Sequence, residues 1–452
     1  MRIRTRRIVC VMNTLAVVVL AGAARSSAQT SPPQGSTPVR LSVVEAIDLA
    51  LKASHRIGEF EAREDAAKAN AALRASADRP MVSLLGGYTR TNHVDEFAIQ
   101  IPGMPPRVIY PDLPDNWRSR LDVQWPVYTS GRLESLDRAA QAEQNAAGKD
   151  VATVRADVRL DAARAFWTLV TATASVTVVE DALMLADAHV RDVRTLLAVG
   201  LVAPNDVLTA EANRSRKQVL LIEVRNIRDV AEADLRRATG IGPAVRIDLA
   251  EALDGLRPNV PTFDELLAEA RKSRPERQAL QIRVDGVAQQ RAAAAAGSKP
   301  VVSVGGGVDY ARPNPRIFPR AGAWNESWDV GVSVAWQLWD GGRVKADVAQ
   351  ASANQRAAQQ RLAEFDAVLE FEVRQRQLDL TSAVAAIAAV TDEVASAAEA
   401  RRVVAERFKA GLTSNTDVLD AQQALLGAQL GRTRTLASVK LAQARLDRVL
   451  GR

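Results

Sequence analysis

The sequence has almost no residues that could carry thiol or metal chemistry. Its single cysteine, Cys10, lies near the N-terminus, and its histidines, His55, His93 and His189, are scattered with no cysteine or carboxylate at ligand spacing. A protein metal site needs several such ligands close together. The glycine triplet at 305–307 falls inside a strand pattern and does not precede a helix, so a phosphate-binding loop is not indicated. The sequence therefore predicts no catalytic residue, no cofactor and no metal, and we expect no enzyme.

Proline is absent from two stretches of 68 residues, 132–199 and 343–410. At about 1.5 Å per residue each could form a helix roughly 100 Å long. Shorter helical patterns cover 42–79, 205–240, 262–299 and 416–451, with Ser42 and Glu45 spaced as a capping box. Two short helices placed end to end match the length of one long helix, which predicts that they flank it.

Acidic residues are absent from the N-terminal region. Four arginines precede a short apolar run over residues 15–24, and Ser26-Ser27-Ala28 follows it, which predicts a secretory signal peptide over 1–28. The run is short for a transmembrane helix. Removal of residues 1–28 lowers the number of basic residues from 59 to 54, against 53 acidic ones. The remaining chain is then nearly neutral, so no nucleic-acid partner is indicated.

The chain contains one unit twice. The stretch from Val199 to Leu208 returns as Ala410 to Leu419, and an offset of 211 residues holds without a gap from Trp125/Trp336 to Gly240/Gly451. The predicted order is a signal peptide 1–28, an extended leader 29–40, a first repeat 41–240 (helix 42–79, β-hairpin 81–129, long helix 132–199, return helix 205–240), a linker 241–261 and a second repeat 262–452 (helix 262–299, β-hairpin 300–340, long helix 343–410, return helix 416–451).

Each hairpin alternates apolar residues with small or polar ones, most clearly from Trp328 to Leu338. All four tyrosines and six of the seven tryptophans fall in the hairpin regions, as in the aromatic girdles of a membrane barrel. A soluble β-sandwich also gathers aromatic residues, but it does not explain the glycines and serines of the second face. The predicted belt residues are Tyr88, Trp125, Tyr128, Tyr310, Trp328, Trp336 and Trp339.

Four strands cannot close a barrel, and open sheet edges are not tolerated in lipid. Two chains would give eight strands with a filled interior, and three would give twelve strands with a lumen. The small residues of the second face favour three. The predicted fold class is mainly α with transmembrane β: four strands per chain contribute to a trimeric twelve-stranded outer-membrane barrel, and long coiled helices form a periplasmic α-barrel.

The chain resembles the TolC family of outer-membrane efflux proteins over residues 41–452. The resemblance is carried by Ser130-Gly131-Arg132, by Asp340-Gly341-Gly342-Arg343 and by the twice-repeated Gly-Leu-x-x-x-x-Asp-Val-Leu. It implies a homotrimer that serves as the passive exit duct of a tripartite efflux system in the outer membrane of a Gram-negative bacterium. The implied partners are a periplasmic membrane-fusion adaptor and an inner-membrane RND, ABC or MFS transporter. A type I protein-secretion duct and a soluble coiled-coil scaffold are the alternatives.

The repeated turns are the candidate functional sites. Gly200 and Gly411 suit a backbone with positive φ after a helix end, and Leu201 and Leu412 would be apolar residues at exposed tips. The resemblance implies that these tips contact the adaptor. The predicted contact residues are Gly200, Leu201, Val202, Gly411 and Leu412.

Carboxylates follow each turn and are predicted to line a periplasmic constriction. Asp206 and Asp417 begin the returning helices, where they could also serve as helix caps, and Asp420 lies on the same helix face as Asp417. The resemblance implies that such aspartates favour cations and that Asp206 helps to close the gate. Phe408 and Thr413 stand where the family prototype has a tyrosine and an arginine, which predicts a weaker latch.

Overall fold

The protein is built on long helices that carry a small β-sheet at one end. The structure, a computed structural model of one protomer, describes residues 39–253 and 260–452. The predicted signal peptide 1–28, most of the leader 29–40 and residues 254–259 of the linker lie outside the described residues. The helices are α1 Val43–Ala53, α2 His55–Ala75, α3 Arg132–Ala198, α4 Pro204–Thr239, α5 Phe263–Ser273, α6 Pro275–Ala295, α7 Arg343–Lys409 and α8 Asn415–Leu450.

The single helices predicted over 42–79 and 262–299 are each broken into two. In the second repeat the break falls at Arg274 (φ −62°, ψ 115°), because a residue before proline is pushed out of the helical region and Pro275 begins α6. Ser54 adopts nearly the same backbone without a proline, and Ala53 beside it lies against Gly240 at the end of α4. The Ser42–Glu45 capping box at the start of α1 is confirmed, with Glu45 N donating to Ser42 Oγ over 3.2 Å.

The strands are β1 Val39–Leu41, β2 Met81–Arg90, β3 Phe97–Ile99, β4 Arg107–Tyr110, β5 Asp115–Tyr128, β6 Ile247–Leu249, β7 Val301–Arg312 and β8 Asn325–Ala335. Four of them form one antiparallel sheet in the order β2-β5-β7-β8, and β3 and β4 make a small hairpin of their own within the loop between β2 and β5. The edges β2 and β8 have no partner within the described chain. A closed barrel therefore needs other copies of the protomer.

The last strand is shorter than the alternation predicts. The pattern extends to Leu338, but β8 ends at Ala335, which pairs with Val301 at the start of β7. The residue that would pair next, just before β7, is Pro300, which has no N–H to donate to the ladder. The indole Nε1 of Trp336 donates instead to the carbonyl of Ser298, over 3.1 Å.

The sheet has one apolar face and one polar face, as the alternation predicts. Neighbouring strands place Leu84, Leu121, Val308 and Trp328 side by side in one row. The adjacent row, which points the other way, contains Ser83, Asp122, Gly307 and Asp329. In a membrane barrel the first face contacts lipid and the second lines the lumen.

The two long helices are buried to very different extents within one protomer. Helix α3 is packed between α4 and α2/α6, and its side chains Phe166, Val179 and Val193 are inaccessible. Both long helices contain an apolar window of 18 residues, of which 39% is buried in α3 but only 6% in α7. Helix α7 is therefore the helix with a large apolar surface left to be covered by other subunits.

A short parallel pairing in the middle of the molecule was not predicted. Strand β1 lies beside β6, with Leu41 opposite Leu249, inside the segments expected to be an extended leader and a linker. Val43 N donates to the carboxylate of Glu251 over 3.0 Å just beyond it. Leu41 is buried against Phe166 of α3 and Leu235 of α4. The pairing therefore anchors the segment before α1 beside these two helices.

Candidate functional site

Both helical hairpins end in the same tight turn. Gly200 and Gly411 have φ of +76° and +71°, which confirms the positive φ predicted for them. Leu201 N donates to Leu196 O over 2.9 Å, and Leu412 N donates to Arg407 O over 2.8 Å. These bonds satisfy the last carbonyls of α3 and α7 in the manner of a Schellman motif. The chain then returns directly into α4 and α8.

The two leucines that follow these glycines are left in solvent. Leu201 is 71% exposed and Leu412 is 68% exposed, at the very end of the helical part. Val202 behaves differently, because it packs against the cluster formed by Val193, Val207 and neighbouring residues. Leu201 and Leu412 are therefore surface residues, like the glycines that precede them, whereas Val202 belongs to the core of the tip.

The aspartates at the starts of α4 and α8 cap these helices. Asp417 Oδ2 accepts hydrogen bonds from Thr413 Oγ1 over 2.6 Å, from Ser414 Oγ over 2.8 Å and from Ser414 N over 3.0 Å. These bonds, the one from Thr413 first, hold the pKa of Asp417 below its usual range, so this exposed carboxylate is ionised at neutral pH. Asp206 accepts only from Ala203 N, over 3.2 Å, because alanine has no hydroxyl to complete a capping box.

A buried polar contact joins the two hairpins just above the turns. Asn415 Nδ2 donates to the carbonyl of Asp206 over 3.2 Å, so its Oδ1 is free to accept from His189 Nε2 over 2.7 Å. His189 is 5% exposed. The ring of Phe408, itself 6% exposed, packs against it with centroids 5.3 Å apart. This His189 node thus connects α3, α4, α7 and α8.

Phe408 is therefore a core residue of the protomer, surrounded by Val190, Val193, Val207 and Val418. Thr413 bonds to Asp417 at the start of α8, whereas Asp206 lies beside Asn415. The structure thus brings together Thr413 with Asp417, and Asp206 with the His189 node.

Asp420 lies apart from these contacts, at a cleft between α4 and α8. The cleft has a volume of about 510 Å³ and is also lined by Asn213, Lys217 and Gln423. Lys217 Nζ is buried and reaches only Gln423 Oε1, over 3.4 Å. Burial, with a smaller contribution from the neighbouring Arg216, lowers the pKa of the Lys217 amine. Asp420 and Lys217 thus line the same cleft.

The aromatic residues on the apolar face of the sheet are spread over several rows, with Tyr88 opposite Trp117 and with Trp328 in the row of Leu121 and Val308. Trp117 and Trp125, like Trp328 and Trp336, are eight positions apart, which is about 27 Å along a strand and about 20–22 Å across a membrane after the usual tilt. Tyr88 packs on Trp117 with centroids 4.4 Å apart, and Tyr310 stacks on Trp324 at 5.0 Å. All seven predicted residues are exposed: Tyr88, Trp125, Tyr128, Tyr310, Trp328, Trp336 and Trp339.

The sequence prediction missed His189, Asn415, Trp117 and Trp324. For the His189 node a signal was available, because the two repeats differ at the residues that form it. At the offset of 211, Asn415 corresponds to Pro204, Ser414 to Ala203 and Thr413 to Val202. Polar residues that replace apolar ones in only one copy of a duplicated turn indicate a contact made by that copy alone. No cluster of residues that could hold a metal ion occurs within 39–253 or 260–452.

Comparison with known proteins identifies a class of trimeric outer-membrane channels. VceC of Vibrio cholerae, described as an outer membrane protein, matches with a TM-score of 0.76 at 21% identity, covering 90% of this chain and 96% of that one. The CmeC outer membrane channel of Campylobacter jejuni matches with a TM-score of 0.75 at 16% identity, covering 90% and 85%. At these identities the TM-scores establish the fold alone, that of outer-membrane channels with a β-barrel and a helical barrel.

The chain belongs to the outer membrane efflux protein family, whose sequence model matches residues 46–241 and 266–452. This confirms the resemblance to the TolC family, which is a family of channels, and places the protein in the outer membrane with its helices in the periplasm. Protein CyaE of Bordetella pertussis is 26% identical over 315 residues, which are 69% of this chain and 63% of that protein. The match thus spans less than two thirds of that relative's length.

Proposed function

We propose that the protein is the exit duct of a tripartite efflux system, a passive trimeric channel that is gated at its periplasmic tip. The observation that carries this proposal is the His189 node. It joins the ends of helices from both hairpins at the tip of the helical part, where we place the gate. Opening then requires the hairpins to move apart, which breaks the His189–Asn415 bond.

The carboxylates at the tip give this gate its charge. Asp417 is exposed and ionised, and Asp420 lies three residues further along α8. In a trimer these two positions supply about six carboxylates around one axis, which focuses negative potential and attracts hydrated cations. Thr413 is engaged with Asp417 and does not bridge to Asp206. The closed state therefore depends on packing around Phe408 and on the His189 node.

The exposed leucines supply the surface for opening the gate. Leu201 and Leu412 lie in solvent beyond the gate residues, next to Gly200 and Gly411, and an apolar pair of this kind suits a helical partner with an apolar face. We assign this partner as a periplasmic membrane-fusion adaptor, which is bound in turn to an inner-membrane RND, ABC or MFS transporter. A protein-secretion transporter could use the same duct, and cross-linking from Leu412 followed by identification of the trapped transporter separates the two cases.

The test is the conductance of purified trimers in planar bilayers. We expect discrete channels that are blocked by divalent cations from the periplasmic side, and we expect the double substitution Asp417→Ala with Asp420→Ala to weaken this block by at least tenfold in cation concentration. Asp392→Ala is the matched control, because Asp392 is an exposed carboxylate on α7 about 25 Å from the turn. Trimers that never conduct would contradict the duct, and an unchanged block would remove the carboxylates from the gate.

A further inference from the structure

We propose that the segment between β7 and β8, residues 313–324, is folded inward over the lumen and makes a second narrow point at the outer mouth. An ionic cluster on the lumen face of the sheet holds it there. This inference rests on the proposed duct function. It concerns the opposite end of the molecule from the periplasmic gate and determines what can enter the duct from outside.

The cluster is centred on Arg120, whose guanidinium contacts three carboxylates from three strands. Arg120 Nε donates to Asp122 Oδ1 over 2.8 Å, and Nη1 donates to Asp309 Oδ2 over 2.6 Å. Nη1 and Nη2 also donate to the two oxygens of Asp329, over 2.8 and 3.2 Å. Asp309 is 4% exposed and accepts a further bond from Arg118 Nε over 2.6 Å. All of these residues lie on the polar face, which lines the lumen.

A glycine on the middle strand makes this arrangement possible. Arg120 is on β5 and Asp329 is on β8, so the guanidinium must cross β7 at Gly307. A Cβ at Gly307 would lie 2.9 Å from Arg120 Cζ and 2.6 Å from the carbonyl of Leu121. Any side chain at this position would displace the arginine from Asp329. The absence of a side chain on β7 thus lets one arginine connect three neighbouring strands.

The segment 313–324 is attached to the same cluster. Arg316 Nη2 lies 2.9 Å from Asp329 Oδ1, and its Nη1 donates to the carbonyl of Trp328 over 2.7 Å. Asn314, which is buried, donates to Ser327 Oγ over 3.0 Å and accepts from Arg316 N over 2.9 Å. Ser327 and Asp329 both point to the lumen. These contacts therefore draw the start of the segment over the lumen side of the sheet.

The far end of the segment is held from the other hairpin. Arg320 Nη1 donates to the hydroxyl of Tyr110 over 2.6 Å, and its guanidinium lies 5.0 Å from the ring centroid of Tyr110. Between the two arginines, Phe318 is exposed. Three such segments in a trimer place three Phe318 side chains at the rim of one opening. Solute leaving the cell must displace them, and a large solute outside is kept out.

Polymer exclusion measures the size of this outer opening in channels that conduct. Polyethylene glycols of graded size, added only to the outer compartment of a planar bilayer, lower single-channel conductance when they enter the lumen. We expect Arg316→Gln and Asp329→Asn to admit larger polymers than the unmodified channel. Polymers added from the periplasmic side give the same cut-off in all variants.

Arg90→Gln is the matched control. It also breaks an arginine–aspartate pair at the outer end of the sheet, 3.1 Å from Arg90 Nη1 to Asp115 Oδ1, but Arg90 lies on the apolar face with Tyr88. Heat-modifiable trimers confirm that each variant has assembled. If conducting channels of Arg316→Gln and Asp329→Asn keep the unmodified cut-off, or if Arg90→Gln shifts it equally, the inference is overturned and the duct remains. If the unmodified trimer does not conduct, the proposed function fails instead.

Discussion

A single histidine makes a buried polar contact between the two hairpins at the periplasmic tip. His189 is on α3, and its partner Asn415 is the first residue of α8, so their bond spans 226 positions of sequence. A buried acceptor that loses its donor typically costs about 1–3 kcal/mol. The same residue pair also fixes Asp206 through the amide of Asn415.

We expect His189→Leu to raise the opening frequency of single channels several-fold, because Asn415 Oδ1 loses its donor and the hairpins separate more easily. His189→Gln keeps a side-chain N–H that can reach Asn415 and should stay close to the unmodified channel. Asn415→Ala combined with His189→Leu should open little more than either alone, as expected for two residues of one contact. Additive effects in the double variant would show that the bond does not hold the gate.

The two turns act as elements of fixed shape, and the glycines in them can be tested without disturbing any neighbour. Gly411 has a φ of +71°, and a Cβ built on it meets nothing within 4 Å. Gly427 lies within α8 and also has open space around its missing side chain. Replacement of glycine by alanine therefore tests backbone conformation alone at Gly411 and helix propensity alone at Gly427.

We expect Gly411→Ala to destabilise the tip by about 1–2 kcal/mol, the usual cost of a left-handed conformation for a residue with a side chain. Gly427→Ala should stabilise α8 by up to about 1 kcal/mol, because alanine is a better helix former than glycine. Limited proteolysis at the turn reports the first effect, and hydrogen exchange along α8 reports the second. If the two variants changed stability equally and in the same direction, the positive φ of Gly411 would not be the cause of the effect.

At this scale the sequence predicts the regular elements well and the interruptions poorly. Proline-free runs and alternation locate α3, α7 and the four main strands, because both follow from local periodicity. The breaks at Ser54 and Arg274 were missed, although Pro275 was a usable signal for the second. The β1–β6 pairing joins residues about 200 positions apart and has no local pattern. For the site, helix caps and positive φ were predictable from local sequence, whereas the His189 node is a tertiary contact whose sequence signal is the difference between the two repeats at Asn415 and Pro204.

At the scale of the whole molecule, the protomer leaves one side of its second long helix, α7, uncovered. Phe371 on α7 is 67% exposed, and Val368 and Leu378, which follow the same side of the helix at spacings of three and seven, are also exposed. Burying one such phenylalanine contributes about 1.5–3 kcal/mol, and a trimer repeats the contact at each of its interfaces. The stripe is therefore where we expect the subunits to meet.

We expect Phe371→Glu to prevent trimer assembly, because each interface would then bury a carboxylate without a partner, which costs several kcal/mol. Phe371→Leu retains an apolar side chain and should assemble normally. The measurement is the fraction of heat-modifiable trimer in detergent extracts of outer membranes, together with the mass of the purified species. A stable trimer formed by Phe371→Glu would place the subunit contact on another face of the helical barrel. The exposed surface of α7 would then face the duct interior, and an apolar stripe there would weaken the hydration of the passage that the efflux function requires.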